Sequence, residues 1–165
     1  MDRRLDGRYV GNDFKVKRVP SGVAYEDGNF AMKVFKATFD VSKTDSAGVV
    51  NTSITSHGLG VYLPPNSRII DSWFDVITKM SSATNGATLQ LTLEAAGDIK
   101  ATSLISSGMY QNTGATQGLQ DDTLTTAGSI KTTTEREVTV KVATEALISG
   151  KMVVYGSYIE EKGYL

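Results

Sequence analysis

The stretch Gly58–Thr78, GLGVYLPPNSRIIDSWFDVIT, decides the fold. Leu59, Val61 and Leu63 recur at every second position and stop at Pro64-Pro65, which has no amide proton to give to a ladder. Past that break the period of two resumes. Ile70, Ser72, Phe74, Val76 and Thr78 fall on one side of a strand, and Ile69, Asp71, Trp73, Asp75 and Ile77 fall on the other. Large apolar groups on both sides predict a strand that is central in its sheet or meets another subunit.

The same pattern extends outward. Phe35, Ala37, Phe39 and Val41 alternate with Lys36, Thr38 and Asp40, as on a half-buried strand. Residues 49–55 read as a weaker, polar strand. Asn85-Gly86 signals a tight turn before the inward row Leu89, Leu91, Leu93 and Ala95. Between residues 97 and 128 the alternation lapses, and a short helix is expected near Asp98–Ile105 within an otherwise long loop. Order returns at Val138, Val140 and Val142. A helical turn stopped by Gly150 is expected next, then a last strand apolar on both sides from Met152 to Ile159. Roughly seven or eight short strands with regular turn signals predict an all-β antiparallel sandwich or barrel. The expected boundaries are an extended N-terminal arm over 1–30 and a β-sandwich domain over 31–165.

The chain has 165 residues, enough to bury a core without staples, and it has no cysteine. A disulfide framework, a thiolate zinc site and a thiol nucleophile are therefore excluded, and a reducing cytoplasm suits its synthesis. The start, MDRRLDGRYVGNDFKVKRV, lacks the apolar segment of a secretory signal, and no apolar run reaches the ~20 residues of a membrane-spanning helix. A net charge of −1 makes no case for nucleic acid or for an anionic membrane. The arm is locally basic: Arg3, Arg4, Arg8, Lys15, Lys17 and Arg18 face only Asp2, Asp6 and Asp13. It has no accompanying pattern of stacking aromatics, so a salt bridge to an acidic protein surface suits it better than nucleic acid, and a merely solvated arm suits it best of all.

Residues able to do chemistry are sparse. His57 is the sole histidine, no G-x-S-x-G elbow is present, and His57 reads as a turn residue or a polar contact. Asp71 and Asp75 flank Trp73, but four residues of strand separate them by about 13 Å. Paired glycosidase carboxylates sit roughly 5 to 9.5 Å apart. Gly58-x-Gly60 lacks the rest of a dinucleotide fingerprint, and no calcium loop is written. The expectation is a protein that is not an enzyme and carries no cofactor or metal. Trp73, Tyr155 and Tyr158, with Phe74 beside them, are either aromatic anchors at a subunit interface or ordinary core. The basic residues Arg3, Arg4, Arg8, Lys15 and Lys17 and the loop from Tyr110 to Leu124 are the candidate contact regions toward a larger partner.

Three stretches, SHGLGVYLPPNSRIIDSWFDVIT (56–78), SSATNGATLQLTLEAAGDIKATSLIS (81–106) and TEREVTVKVATEALISGKMVVYGSYIE (134–160), resemble small virion proteins of tailed bacteriophages. The resemblance is to the capsid decoration, or cement, proteins, and it spans about residues 57–160. It implies a jelly-roll-like sandwich that oligomerises as trimers or dimers on the outer capsid surface after assembly in the host cytoplasm. It further implies that neighbouring major capsid proteins are clamped against internal DNA pressure. Its motifs are structural, so no capsid-contact residue carries over. A head-fibre base, a neck or tail component, and a carbohydrate-binding module built on Trp73 are the rival assignments.

Overall fold

The computed structural model describes residues 32–116 and 130–161. It is a two-sheet sandwich. In chain order the elements are β1 (Lys33–Asp40), β2 (Ser56–Leu63), β3 (Ser67–Ser82), β4 (Thr88–Thr92), β5 (Lys100–Leu104), the short helix α1 (Gly108–Gln111), β6 (Gly114–Thr116), β7 (Arg136–Ala143) and β8 (Leu147–Glu160). Sheet I has the order β1-β8-β3-β6 and sheet II the order β2-β7-β4-β5. All these pairings are antiparallel. First pairs with last, second with seventh, third with sixth and fourth with fifth. This is a long hairpin rolled up on itself, the jelly-roll topology. The sequence-based expectation of an antiparallel sandwich holds. The expected arm over 1–30 lies outside the described residues.

Alternation assigns the inner faces. Phe35, Ala37 and Phe39 of β1, Phe74 and Val76 of β3, and Met152 and Val154 of β8 close sheet I over Leu89, Leu91, Val138, Val140 and Val142 of sheet II. Burying such side chains stabilises by about 1.5–3 kcal/mol each. Phe74 stacks on Tyr110 with centroids 5.5 Å apart. Tyr110 is fully enclosed, and the Ser103 hydroxyl donates to its phenol oxygen at 3.2 Å. Burial pushes the Tyr110 hydroxyl above its ordinary pKa.

Several local expectations are corrected. β3 does not keep one parity along its length: a bulge between Ile69 and Asp71 turns Ile69 inward and leaves Ile70 half exposed. Residues 49–55 form turns with a single bridge from Thr44 to Val50. Residues 100–104 are strand, and the helix falls later, at 108–111. Leu147–Gly150 opens β8 and is not helical. Gly150 has φ +147° inside that strand, and a Cβ there would lie 2.1 Å from Met80 Sδ. Tyr110 belongs to the core, so of the loop proposed as a contact region only the part beyond it is left, and 117–129 lie outside the described residues.

With no disulfide available, carboxylates pin the loops. Asp98 accepts from the amides of Leu93, Glu94 and Ala95 at 2.8, 2.8 and 2.9 Å. Glu145 accepts from Thr84 and Gly86 amides at 2.9 and 3.0 Å and holds the Asn85-Gly86 turn, where Asn85 has φ +58°. His57 is fully buried on β2, with Nδ1 3.1 Å from Asp45 Oδ2 and Nε2 2.9 Å from the Ser53 carbonyl. Asp45 Oδ1 takes the amides of Ala47 and Val49. His57 is thus a polar contact within a strand, tying the 41–55 loop to the sheet.

Two further carboxylates are set by arginine. Glu94 meets Arg136 through two bonds of 2.8 and 3.1 Å and also takes the Thr133 hydroxyl, which together push its pKa down to about 2. Glu161, held by Arg68 and Lys131, is likewise pushed down to about 2. A carboxylate whose folded pKa is depressed stabilises the fold above its unfolded value, and that contribution fades as pH falls through the folded one. Unfolding free energy should therefore fall between about pH 4.5 and 2, as read by denaturant titration. Glu94→Gln with Glu161→Gln should flatten that slope, modestly because both pairs are partly solvated. Gly156 gives a second prediction. A Cβ there would meet the Phe35 ring at 2.3 and 2.5 Å, so Gly156→Ala should cost about 1–3 kcal/mol in the same assay.

Candidate interaction surface

The two outer faces differ in chemistry. On sheet II the cross-strand rows read Ser56–Lys141–Gln90, Gly58–Thr139–Thr92 and Tyr62–Glu137. Its central strands present hydroxyls, amides and charges, and its exposed apolar groups, Tyr62 and Leu104, sit on the edge strands. Such a face is stable in water.

On sheet I the corresponding rows read Thr38–Val153–Asp75, Lys36–Tyr155–Trp73 and Val34–Ser157–Asp71. Trp73 and Tyr155 stack with centroids 5.6 Å apart and planes within 13°. The Lys36 ammonium lies 5.8 Å from the Tyr155 centroid. Around this pair Met32 is 66% exposed, Val34 72% and Ile70 50%. The face is mixed: Trp73 and Tyr155 are half-buried among Lys36, Asp71 and Asp75, and exposed apolar groups stand beside them, a composition that interfaces share. One oxygen of Asp75 is buried there with no hydrogen-bond partner. Buried polar atoms are rarely left so, and each calls for an explanation.

The structure therefore gathers two of the three expected interface aromatics, Trp73 and Tyr155, on one outer face. It places Tyr158 elsewhere: Tyr158 turns inward, packs against the core and sits 6.4 Å from the Phe35 ring. Phe74 is core. The basic residues Arg3, Arg4, Arg8, Lys15 and Lys17 lie outside the described residues. Asp75 shares the Trp73 face, as its parity in the sequence implies, whereas Val34 and Lys36 were missed as members of the surface. Their parity on β1 was available in the sequence, but which strands stand side by side was not.

The described residues hold no cluster of three or more His, Cys, Asp or Glu side chains placed for a metal, and no helix long and apolar enough to cross a membrane.

The sequence matches no protein-family model and no curated protein. Solved structures do match. A chain of the cyanophage Pam1 capsid asymmetric unit superposes with a TM-score of 0.53 at 16% identity, over 95% of this chain and 100% of that one. A chain of the Ralstonia phage GP4 capsid gives 0.50 at 16% identity over 90% and 93%. One from the acidic stable capsid of Helicobacter pylori bacteriophage KHP30 gives 0.50 at 15% identity over 78% and 86%. The fold is that of a phage capsid chain. At these identities it is the fold that is shared. Because the Pam1 match covers nearly all of both chains, the two are of nearly equal length.

The division between inner and outer aromatics is testable by thermal and chemical unfolding. Phe74→Ala should cost about 3–5 kcal/mol, the range for a buried aromatic. Trp73→Ala should cost the isolated chain no more than about 0.5–1.5 kcal/mol, the worth of an aromatic pair.

Proposed function

We propose that this chain is a capsid decoration protein. It sits on the outer surface of a tailed-phage head as a homo-oligomer and bridges neighbouring major capsid proteins without catalysing a reaction. The observation that carries this reading is the near-complete overlap of a small jelly roll with capsid chains of similar length, joined to one outer sheet face that bears a stacked aromatic pair and exposed apolar groups. A small rigid sandwich suits a clamp. Clamping needs a rigid body with contact surfaces, and its strength comes from many repeated weak contacts acting together. In this reading the N-terminal basic residues reach the shell, while the sheet I face serves assembly.

A neck, tail or fibre component would share the fold but differ in copy number. Quantitative mass spectrometry of purified virions should give about one copy per major capsid protein, or a simple fraction of that ratio. A handful of copies would move the protein off the lattice. Virions lacking it should release DNA at a lower temperature than wild type, and an unchanged release temperature would refute clamping. Removing residues 2–19 should weaken binding to bare capsids while leaving the circular dichroism of the sandwich unchanged.

A further inference from the structure

We propose that the outer face of sheet I is self-complementary. A second copy of this chain packs on it face to face, about a two-fold axis that runs parallel to β8. The proposal rests on the reading of this face as an assembly surface and names its occupant.

The charge layout selects the axis. β8 runs down the middle of the face, with Tyr155 half-buried between Val153 and Ser157, which its neighbours already bury. On one side β1 presents Lys36, which makes no ion pair among the described residues and rests over the Tyr155 ring. On the other side β3 presents Asp71 and Asp75, two residues either side of Trp73. A two-fold axis relating two facing sheets must lie in the plane between them. If it crossed the strands, β3 would face β3 and the aspartates would oppose aspartates. If it runs along β8, β1 of each copy faces β3 of the other.

In that arrangement the register places Lys36 over the partner's Trp73, diagonally between the partner's Asp71 and Asp75. Thr38 lies opposite the partner's Asp75. Packed sheets are about 10 Å apart, a gap that a lysine stem on one side and an aspartate on the other can bridge. Tyr155 sits on the axis with Trp73 beside it, and Val34, Met32 and Ile70 extend the apolar surface toward one end of the sheet. Stable interfaces are built this way, with anchors at the centre and charge at the margin.

The test is sedimentation velocity of the full chain across a concentration series. Wild type should dimerise. Lys36→Glu should weaken the dimer by about tenfold or more, since each glutamate would face two aspartates. Asp71→Lys/Asp75→Lys should do the same by placing lysines against Lys36. An equimolar mixture of the two variants should recover a dimer, because every facing pair is again of opposite sign. Should the β3 variant fail to fold, Val34→Asp, at a well-exposed position, should abolish the dimer with unchanged circular dichroism. A wild type that stays monomeric or sediments as a trimer overturns the pairing, and so does a mixture of folded variants that fails to recover the dimer. A monomer that still coats capsids at regular copy number removes this inference and spares the decoration reading. A two-fold dimer absent from virions does the reverse.

Discussion

The ladder between β3 and β8 is the constraint on which the rest of the structure depends. These are the longest strands, 16 and 14 residues, and they pair from Ser67–Glu160 to Ser82–Leu147 at the centre of sheet I. A ladder that long cannot stay flat against a small core. It shifts register after Ile69 and again between Val76 and Ser82, and the resulting bends let both strands wrap the sheet II layer. Gly150 is placed where Met80 Sδ would collide with any side chain, so the close approach of the strands at one bend depends on it. β1 and β6 then add to the two sides of this pair, and the chain between must cross to sheet II and back.

That ladder also creates the asymmetry that points to function. Its inner side supplies Phe74, Val76, Met152 and Val154 to the core, and its outer side supplies Trp73, Asp75, Val153 and Tyr155. Sheet II, by contrast, carries valine and leucine inward with threonine, glutamine and lysine outward. A protein whose only task was to fold would gain little from a stacked aromatic pair on an outer sheet face and a well-exposed Val34 beside it. A protein that must be rigid and also adhere has reason for both. The rigidity comes from the loops as much as from the core. Asp45, Asp98 and Glu145 each gather backbone amides of a turn, doing locally what a disulfide does in small secreted domains.

Much of this was legible in single residues. The alternations at Phe35–Val41, Leu89–Leu93 and Val138–Val142 named core positions because a strand has a fixed period and one face of each had only one place to go. Asn85-Gly86 named its turn because few residues tolerate a left-handed backbone. The failures have equally local causes. A bulge adds one residue and reverses parity, so Ile69 and Ile70 exchanged sides with nothing in their chemistry to show it. Residues 100–104 lack a strong apolar period because β5 is an edge strand covered on one side only. Gly150 marks a bend within a strand, and a glycine is equally suited to ending a helix. Tyr110 looked like loop because its burial comes from Phe74, 36 positions earlier in the chain.

The sequence by itself determined the class of fold and the poverty of catalytic groups, because period and composition are properties of neighbouring residues. It also marked Trp73 and Tyr155 as residues of consequence, being large aromatics on strands apolar on both sides. Only the tertiary structure decided that these two stack side by side, that Tyr158 turns inward, and that Lys36 and Asp75 flank the aromatic pair on opposite sides. Those facts depend on which strands pair and in what register. Register is set by the whole roll closing on one core, and no short stretch of chain contains it.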